Sequence, residues 1–166
     1  MYIKKIYLKN FRNYSEQEIL LNENITYSLE ANNNEFTFNH KENTKEIELM
    51  YPISAERKVL RRSLVNGAIN QAAYCFNRKI KNVATFEIGK VYYEEDGKYC
   101  EEENLVVVMS GVLSSVVWKG DNEVIDFYTI KGVIDAAFGA LNVEFSYKPL
   151  DKEFKEMHPL RTAVIM

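Results

Sequence analysis

Residues 83–113 constrain this chain more than any other stretch. "VATFEIGKVYY" (83–93) and "NLVVVMSGVL" (104–113) are rich in β-branched and aromatic residues and read as long strands. Between them lies the polar tip "EEDGKYCEEE" (94–103). Its Asp96–Gly97 pair is a strong signal for a tight antiparallel turn, whose central residues need positive φ. A hairpin of that length exposes an apolar face that the remaining chain must cover.

Two segments can provide cover. From Leu60 the apolar spacing changes to four, so Leu60, Leu64, Ala68, Ala72 and Phe76 share one helical face, with Ile69 and Ala73 beside them. These residues are mostly small and permit another backbone to come close. Gly67 costs roughly 1 kcal/mol of helix propensity relative to alanine, so it marks a loose first turn or a packing contact. "VIDFYTIKGVIDAAFGALNV" (124–143) predicts the second helix, with Ile125 or Phe127, Ile130, Ile134, Phe138 and Leu141 inward and Asp126 as its cap. Shorter strands are expected at "YIKKIYLKNF" (2–11) and "EQEILL" (16–21), which form an opening hairpin, and at "NITYSL" (24–29). Others fall at 35–38, inside an Asn-rich loop, at "IELMYP" (47–52), "VEFSYKP" (143–149) and "RTAVIM" (161–166). The predicted class is α+β, an antiparallel β-sheet flanked by helices.

The chain has 166 residues, 46% hydrophobic and 27% charged, enough for one globular core. Its formal net charge of -3 gives no global attraction to nucleic acid, so any such contact needs a local patch. Cys75 and Cys100 lack metal-type or CxxC spacing and read as reduced thiols. No stretch approaches the roughly 20 apolar residues of a membrane span, and "MYIKKIYLKN" lacks a signal peptide's apolar core. A cytoplasmic location without membrane contact is the expectation.

Familiar catalytic patterns are missing from the sequence. His40 and His158 have no ligand-spaced partners, so no metal site is expected. Ser110–Gly111 lacks the first glycine of a GxSxG elbow, and neither GxxxxGK[ST] nor GxGxxG occurs. The acidic run Glu94, Glu95, Asp96, Glu101, Glu102 and Glu103 is ordinarily just solvated surface. The basic residues are harder to dismiss. Arg78, Lys79 and Lys81 at the end of the first helix complement its dipole, whereas Arg57, Lys58, Arg61 and Arg62 sit at the wrong end. Arginine there can pair with buried carboxylates, a partner chain or RNA phosphate. Trp118, before the polar "KGDNE" loop, reads as a core or interface anchor.

"NITYSL", the run 52–93, Ile125–Gly132 and "HPLRTA" occur in an order that resembles the synthetase-like core module of the bacterial phenylalanine–tRNA ligase beta subunit. The resemblance covers about residues 25–165 and implies a class II aminoacyl-tRNA synthetase-like fold, truncated at its C-terminus. In catalytic members of that class, the strand after such a helix carries an arginine that clamps the ATP α-phosphate, with a glutamate two residues on. Here Tyr93 and Glu95 stand at those positions. Tyrosine offers neither a permanent charge nor a bidentate fork. The resemblance therefore implies a noncatalytic module, without cofactor of its own, supporting tRNA aminoacylation by association with a catalytic alpha subunit that uses ATP and magnesium. It assigns structural or subunit-interface roles to Arg61, Asn77, Arg78, Phe86, Glu87, Gly89, Trp118, His158 and Arg161. Departures from the family pattern are Tyr51 for an asparagine, Leu160 for a glycine and Thr162 for a serine. The alternative from a different class is a free-standing RNA-binding module using Arg57, Lys58 and Arg62 in the Arg57–Arg62 patch. A homodimer is compatible with either.

Residues 1–24 stand apart as a hairpin of uncertain origin, with 25–166 as the module. "MYIKKIYLKNFRNYSEQEI" is similar to the opening of RecF-type recombination ATPases, but "YSLEANNNEF" is not the nucleotide-binding loop that would have to follow. A plain hairpin adding strands to an open sheet edge is the preferred reading.

Overall fold

The computed structural model describes residues 5–11, 14–31, 43–112, 124–150, 157–158 and 161–166, with side chains described from residue 21 onward. The fold is α+β with two helices among the described residues. The chain divides into two compact units, one of residues 1–22, 81–84 and 109–166 and the other of residues 23–80 and 85–108.

The long hairpin forms as its sequence dictates. Strand β6 (Val83–Glu95) returns as β7 (Lys98–Ser110) through the two-residue turn Asp96–Gly97, whose φ values are 51° and 75°. Both are positive, as a turn matched to strand twist requires. The strands therefore run through most of the polar tip, ending two residues apart. Strand β3 (Asn22–Glu23) joins β6 on its other side, giving the sheet order β3-β6-β7.

In the second unit, β4 (Leu29–Glu30) pairs antiparallel with β5 (Val59–Leu60), Leu29 opposite Leu60 and Glu30 opposite Val59. Helix α1 (Val65–Asn77) follows. It starts later than the four-residue spacing predicts: Leu60 belongs to β5, and Leu64 is the N-cap residue, while the Ser63 hydroxyl accepts from the Val65 N–H at 3.2 Å. Gly67 is a packing contact, since a Cβ there would lie 2.7 Å from Thr26 Oγ1. Lys79, with φ of 64°, ends the helix while Arg78 and Ile80 return N–H groups to the Cys75 carbonyl. The core is Val59, Leu64, Ala68, Phe86, Val91 and Tyr93. Phe76, expected inward, is exposed. The predicted strand 47–52 is reduced to an isolated bridge, Glu48 to Val59, followed by a loop exposing Met50, Tyr51 and Ile53. Cys75 and Cys100 are free thiols.

In the first unit, β1 (Lys5–Phe11) and β2 (Tyr14–Leu20) form the expected hairpin, as a two-stranded sheet of their own rather than an extension of another edge. Helix α2 (Phe127–Ala140) lies alongside β1. Its N-terminus is a capping box: Asp126 Oδ1 accepts the Thr129 N–H at 2.9 Å and Thr129 Oγ1 accepts the Asp126 N–H at 3.3 Å. The buried positions are Thr129, Gly132 and Val133, so the inward face is offset from the predicted one, and Phe127 and Leu141 are exposed. Strand β8 (Tyr147–Pro149) pairs antiparallel with β9 (Ala163–Ile165). Among the described residues, no helix is long and apolar enough to cross a membrane. Trp118, His40 and the predicted strand 35–38 lie outside the described residues.

Candidate functional site

β6 positions the chemistry of the second unit. From Glu87 its side chains alternate, with Glu87, Val91 and Tyr93 buried and Ile88 and Lys90 exposed. The segment leaving β5 lies beside it, the Tyr92 N–H donating to the Arg61 carbonyl at 2.9 Å. That contact places the Arg61 side chain on the buried face of β6. Arg61 Nη1 meets Glu87 Oε1 at 2.7 Å, with the two side chains only 5% and 3% exposed.

Thr26 completes the pair. Its N–H donates to Glu87 Oε1 at 3.2 Å, and its hydroxyl donates to both carboxylate oxygens at 2.9 and 2.8 Å. The same threonine accepts from Arg61 Nη1, through Oγ1 at 2.9 Å and its carbonyl at 3.4 Å, while Arg61 Nε donates to the Lys90 carbonyl at 2.9 Å. Each ion thus has several partners, the condition under which a buried ion pair is tolerated. Gly89 is required by this arrangement: a Cβ would run into Arg61 Nη2 and come within 3.3 Å of Glu87 Oε1. Sequence reasoning missed Thr26, since nothing in the spacing of "NITYSL" marks one threonine as the bridge between residues 35 and 61 positions away.

Glu30 borders the cluster. Burial pushes its carboxyl above the ordinary glutamate value, opposed by a hydrogen bond from Asn66 and the charge of Arg61. Its Oε2 is buried without a hydrogen-bond partner. The group is a cation–anion cluster bridged by the Thr26 hydroxyl. Its chemical capacity is to fix where β6, β4 and the α1 entry sit.

The four basic residues before α1 do not make one exposed face. Arg61 is buried on Glu87, Lys58 forms an ion pair with Glu48, and Arg62 Nη2 donates to Thr44 Oγ1 at 2.7 Å. The Arg57 guanidinium lies 4.1 Å from the centroid of the Tyr27 ring. The backbone at 57–62 is not helical, with Val59–Leu60 in strand β5 and bends at Arg57 and Arg62, so the four basic side chains do not line one helical face.

Tyr93 is buried, and its hydroxyl donates to Glu102 on β7. Glu95 is the half-buried last residue of β6. Phe86 is core. Asn77 and Arg78 are exposed at the end of α1, where the Arg78 guanidinium stacks on Tyr74 at 3.4 Å from the ring centroid. His158 and Arg161 belong to the first unit, at a cleft beside α2, with the Arg161 N–H donating to the His158 carbonyl at 3.0 Å.

This is an α+β chain whose strand β6 is pinned by a buried Arg–Glu–Thr cluster and whose Tyr93 hydroxyl is engaged by Glu102. Residues 13–166 match the family model described as phenylalanyl tRNA synthetase beta chain CLM domain, and the chain belongs to that family. It is 34% identical over 148 residues to the phenylalanine–tRNA ligase beta subunit of Bacillus subtilis (strain 168), an alignment covering 88% of this chain and 18% of that protein. The beta subunit of Geobacillus kaustophilus (strain HTA426) is 37% identical over 145 residues, with 85% and 18% covered. That of Staphylococcus aureus (strain Mu50 / ATCC 700699) is 38% identical over 151 residues, with 88% and 18% covered. The chain thus spans about a fifth of the length of the curated relatives it matches, 18% in each. The match beginning at residue 13 takes in β2, which the resemblance drawn from about residue 25 leaves out.

Proposed function

We propose that this chain is a noncatalytic, class II synthetase-like module of the phenylalanine–tRNA ligase beta-subunit type, acting by association with a catalytic alpha subunit in the cytoplasm. ATP and magnesium belong to the alpha subunit in this reading, and tRNA meets the chain only through the assembly. The observation that supports it is Tyr93: the residue that the resemblance puts at the phosphate-clamp position is a buried phenol already bonded to Glu102. A phosphate placed there would find no permanent cation.

An interface needs exposed apolar surface, and the loop after the Glu48 bridge supplies it. Met50, Tyr51 and Ile53 are 84, 86 and 84% exposed, around Pro52. Consecutive apolar side chains in water mark a contact surface more often than an accident. Within the patch that the RNA-binding alternative relies on, Lys58 is paired with Glu48, Arg62 is bonded to Thr44 and Arg57 lies over Tyr27.

The test is the light-scattering mass of the chain alone and mixed with a catalytic alpha subunit at micromolar concentration. A defined heteromeric complex is expected, little weakened between low and moderate salt, as befits an apolar interface. Ile53→Asp should weaken it without changing the melting temperature. A lone monomer or homodimer that ignores the alpha subunit refutes the proposal, and steep salt dependence with RNA would favour the alternative.

A further inference from the structure

Helix α2 and the β8–β9 pair enclose a cleft of about 370 Å³ that the scaffold role does not use. Its size falls in the range of small-molecule sites. Ile130 and Ile134, one helical turn apart, form one wall, and Ile165 on β9 forms part of the other. Tyr147 is held in place: its hydroxyl donates to Asp135 Oδ1 at 2.6 Å, and the Lys131 ammonium sits 4.6 Å from its ring centroid. Burial and the Asp135 carboxylate raise the pKa of its phenol above the ordinary value, keeping it a hydrogen-bond donor. Lys131 is itself tied to Asp135 at 3.2 Å.

At the polar end the Lys131 charge is met by Asp135 behind the wall, which leaves Arg161 as the cation facing the cleft without a carboxylate. Lys131, His158 and Arg161 line the cleft, and no acidic side chain does so among the described residues. The exposed Arg161 guanidinium has no ion pair or hydrogen bond among the described residues, so its fork remains available. An apolar trough closed by one unengaged guanidinium matches an apolar body carrying a carboxylate, which Arg holds bidentately. A bare phosphate would satisfy the arginine and leave the isoleucine walls unused.

We propose that the cleft between α2 and the β8–β9 pair binds a small carboxylic acid with an apolar body, Arg161 receiving the carboxylate and Ile130, Ile134 and Tyr147 the body. The probe is 3-phenylpropionate, titrated into the full chain with isoleucine methyl resonances as the readout. Two controls accompany it: 3-phenylpropanol, which keeps the body without the charge, and inorganic phosphate, which keeps an anion without the body. Saturable shifts at Ile130, Ile134 and Ile165 are expected with the carboxylate, at a Kd of roughly 0.1–5 mM for a ligand this small. The alcohol and phosphate should each bind about tenfold more weakly or not at all. Arg161→Gln, at an exposed position, should lower affinity about tenfold at an unchanged melting temperature, and Ile134→Trp should abolish binding by filling the trough. Absence of saturable shifts overturns the proposal. Equal binding of the alcohol, equal shifts with phosphate, or full affinity in Arg161→Gln would each overturn it too.

Discussion

Replacing Arg61 by methionine tests the buried cluster at its centre. The substitution keeps a long apolar stem and leaves the backbone bonds of residue 61 in place, its N–H on the Ser28 carbonyl and its carbonyl under the Tyr92 N–H, each at 2.9 Å. What disappears is the charge and four donor contacts, to the Lys90 carbonyl, Thr26 twice and Glu87. Glu87 stays buried at 3% exposure with only the Thr26 donors. Orphaning one member of such a pair costs about 3–5 kcal/mol. For a chain of this size each kcal/mol moves Tm by about 2–4 °C, so a fall of roughly 6–20 °C is expected in a thermal melt. Because the chain has two compact units, far- and near-UV transitions should be compared before one midpoint is used. Adding Glu87→Gln removes the orphaned charge and retains an acceptor for Thr26. Arg61→Met with Glu87→Gln should therefore recover about 1–3 kcal/mol relative to Arg61→Met alone. A single variant within about 0.5 kcal/mol of the parent, or a double variant that is simply additive, would refute the assignment of this pair as the anchor of β6.

Three further outcomes follow from the same geometry. Gly67→Ala gains about 1 kcal/mol of helix propensity but pushes a Cβ to 2.7 Å from a Thr26 hydroxyl held by Glu87, so denaturant titration should show net destabilisation. A stabilised variant would mean that Thr26 can move. Glu30→Gln concerns pH: the folded pKa of Glu30 is raised above its ordinary 4.5, so its contribution to stability is present below that value and lost as pH rises through the folded pKa. The variant lacks this loss, and its stability relative to the parent should grow from pH 4 toward 7, whereas a constant difference would contradict the assignment. Asp126→Ala removes the cap of α2 and should cost about 1 kcal/mol, with Asp126→Asn losing less; equal losses in the two would show that the cap bond contributes nothing.

The parts legible in the sequence are those where local chemistry has one solution. Asp96–Gly97 demands positive φ at two successive residues and so announces the hairpin, and Asp126 announces the start of α2. Failures occur where two periods coincide. Leu60 and Leu64 are four apart, a spacing that satisfies an extended chain as well as a helix, and the chain is extended at Leu60. Along α2 apolar residues ring so much of the helix that periodicity picks the wrong stripe: Thr129 is fully buried by its cap role, while Ile130 and Ile134 turn to the cleft. The run 47–52 looks like a strand, yet its apolar residues Met50 and Tyr51 lie in the exposed loop, where no period can reveal what covers them.

The basic run before α1 shows why the site itself was only partly readable. Its candidate partners were a buried carboxylate, a partner chain or phosphate, and composition cannot choose among them. The non-helical backbone does: Val59, Arg61 and Ser63 are buried in alternation, with Lys58, Leu60 and Arg62 only half-buried between them. Once that alternation is known, Arg61 must enter the interior, and an unpaired guanidinium there would be far too costly, so a carboxylate on the facing strand becomes obligatory. Glu87 meets that requirement only in one register. A one-residue slip of β6 would turn Glu87 outward and bring Phe86 or Ile88 against the guanidinium, leaving the charge uncompensated. The pair therefore contributes to register discrimination as well as to cohesion. Gly89 fits the same logic, being the place where the strand must give up a side chain for the arginine to pass. Strand β6 is thus held in one register by its own side chains, a carboxylate, the guanidinium and threonine that bind it, and a glycine where the guanidinium passes.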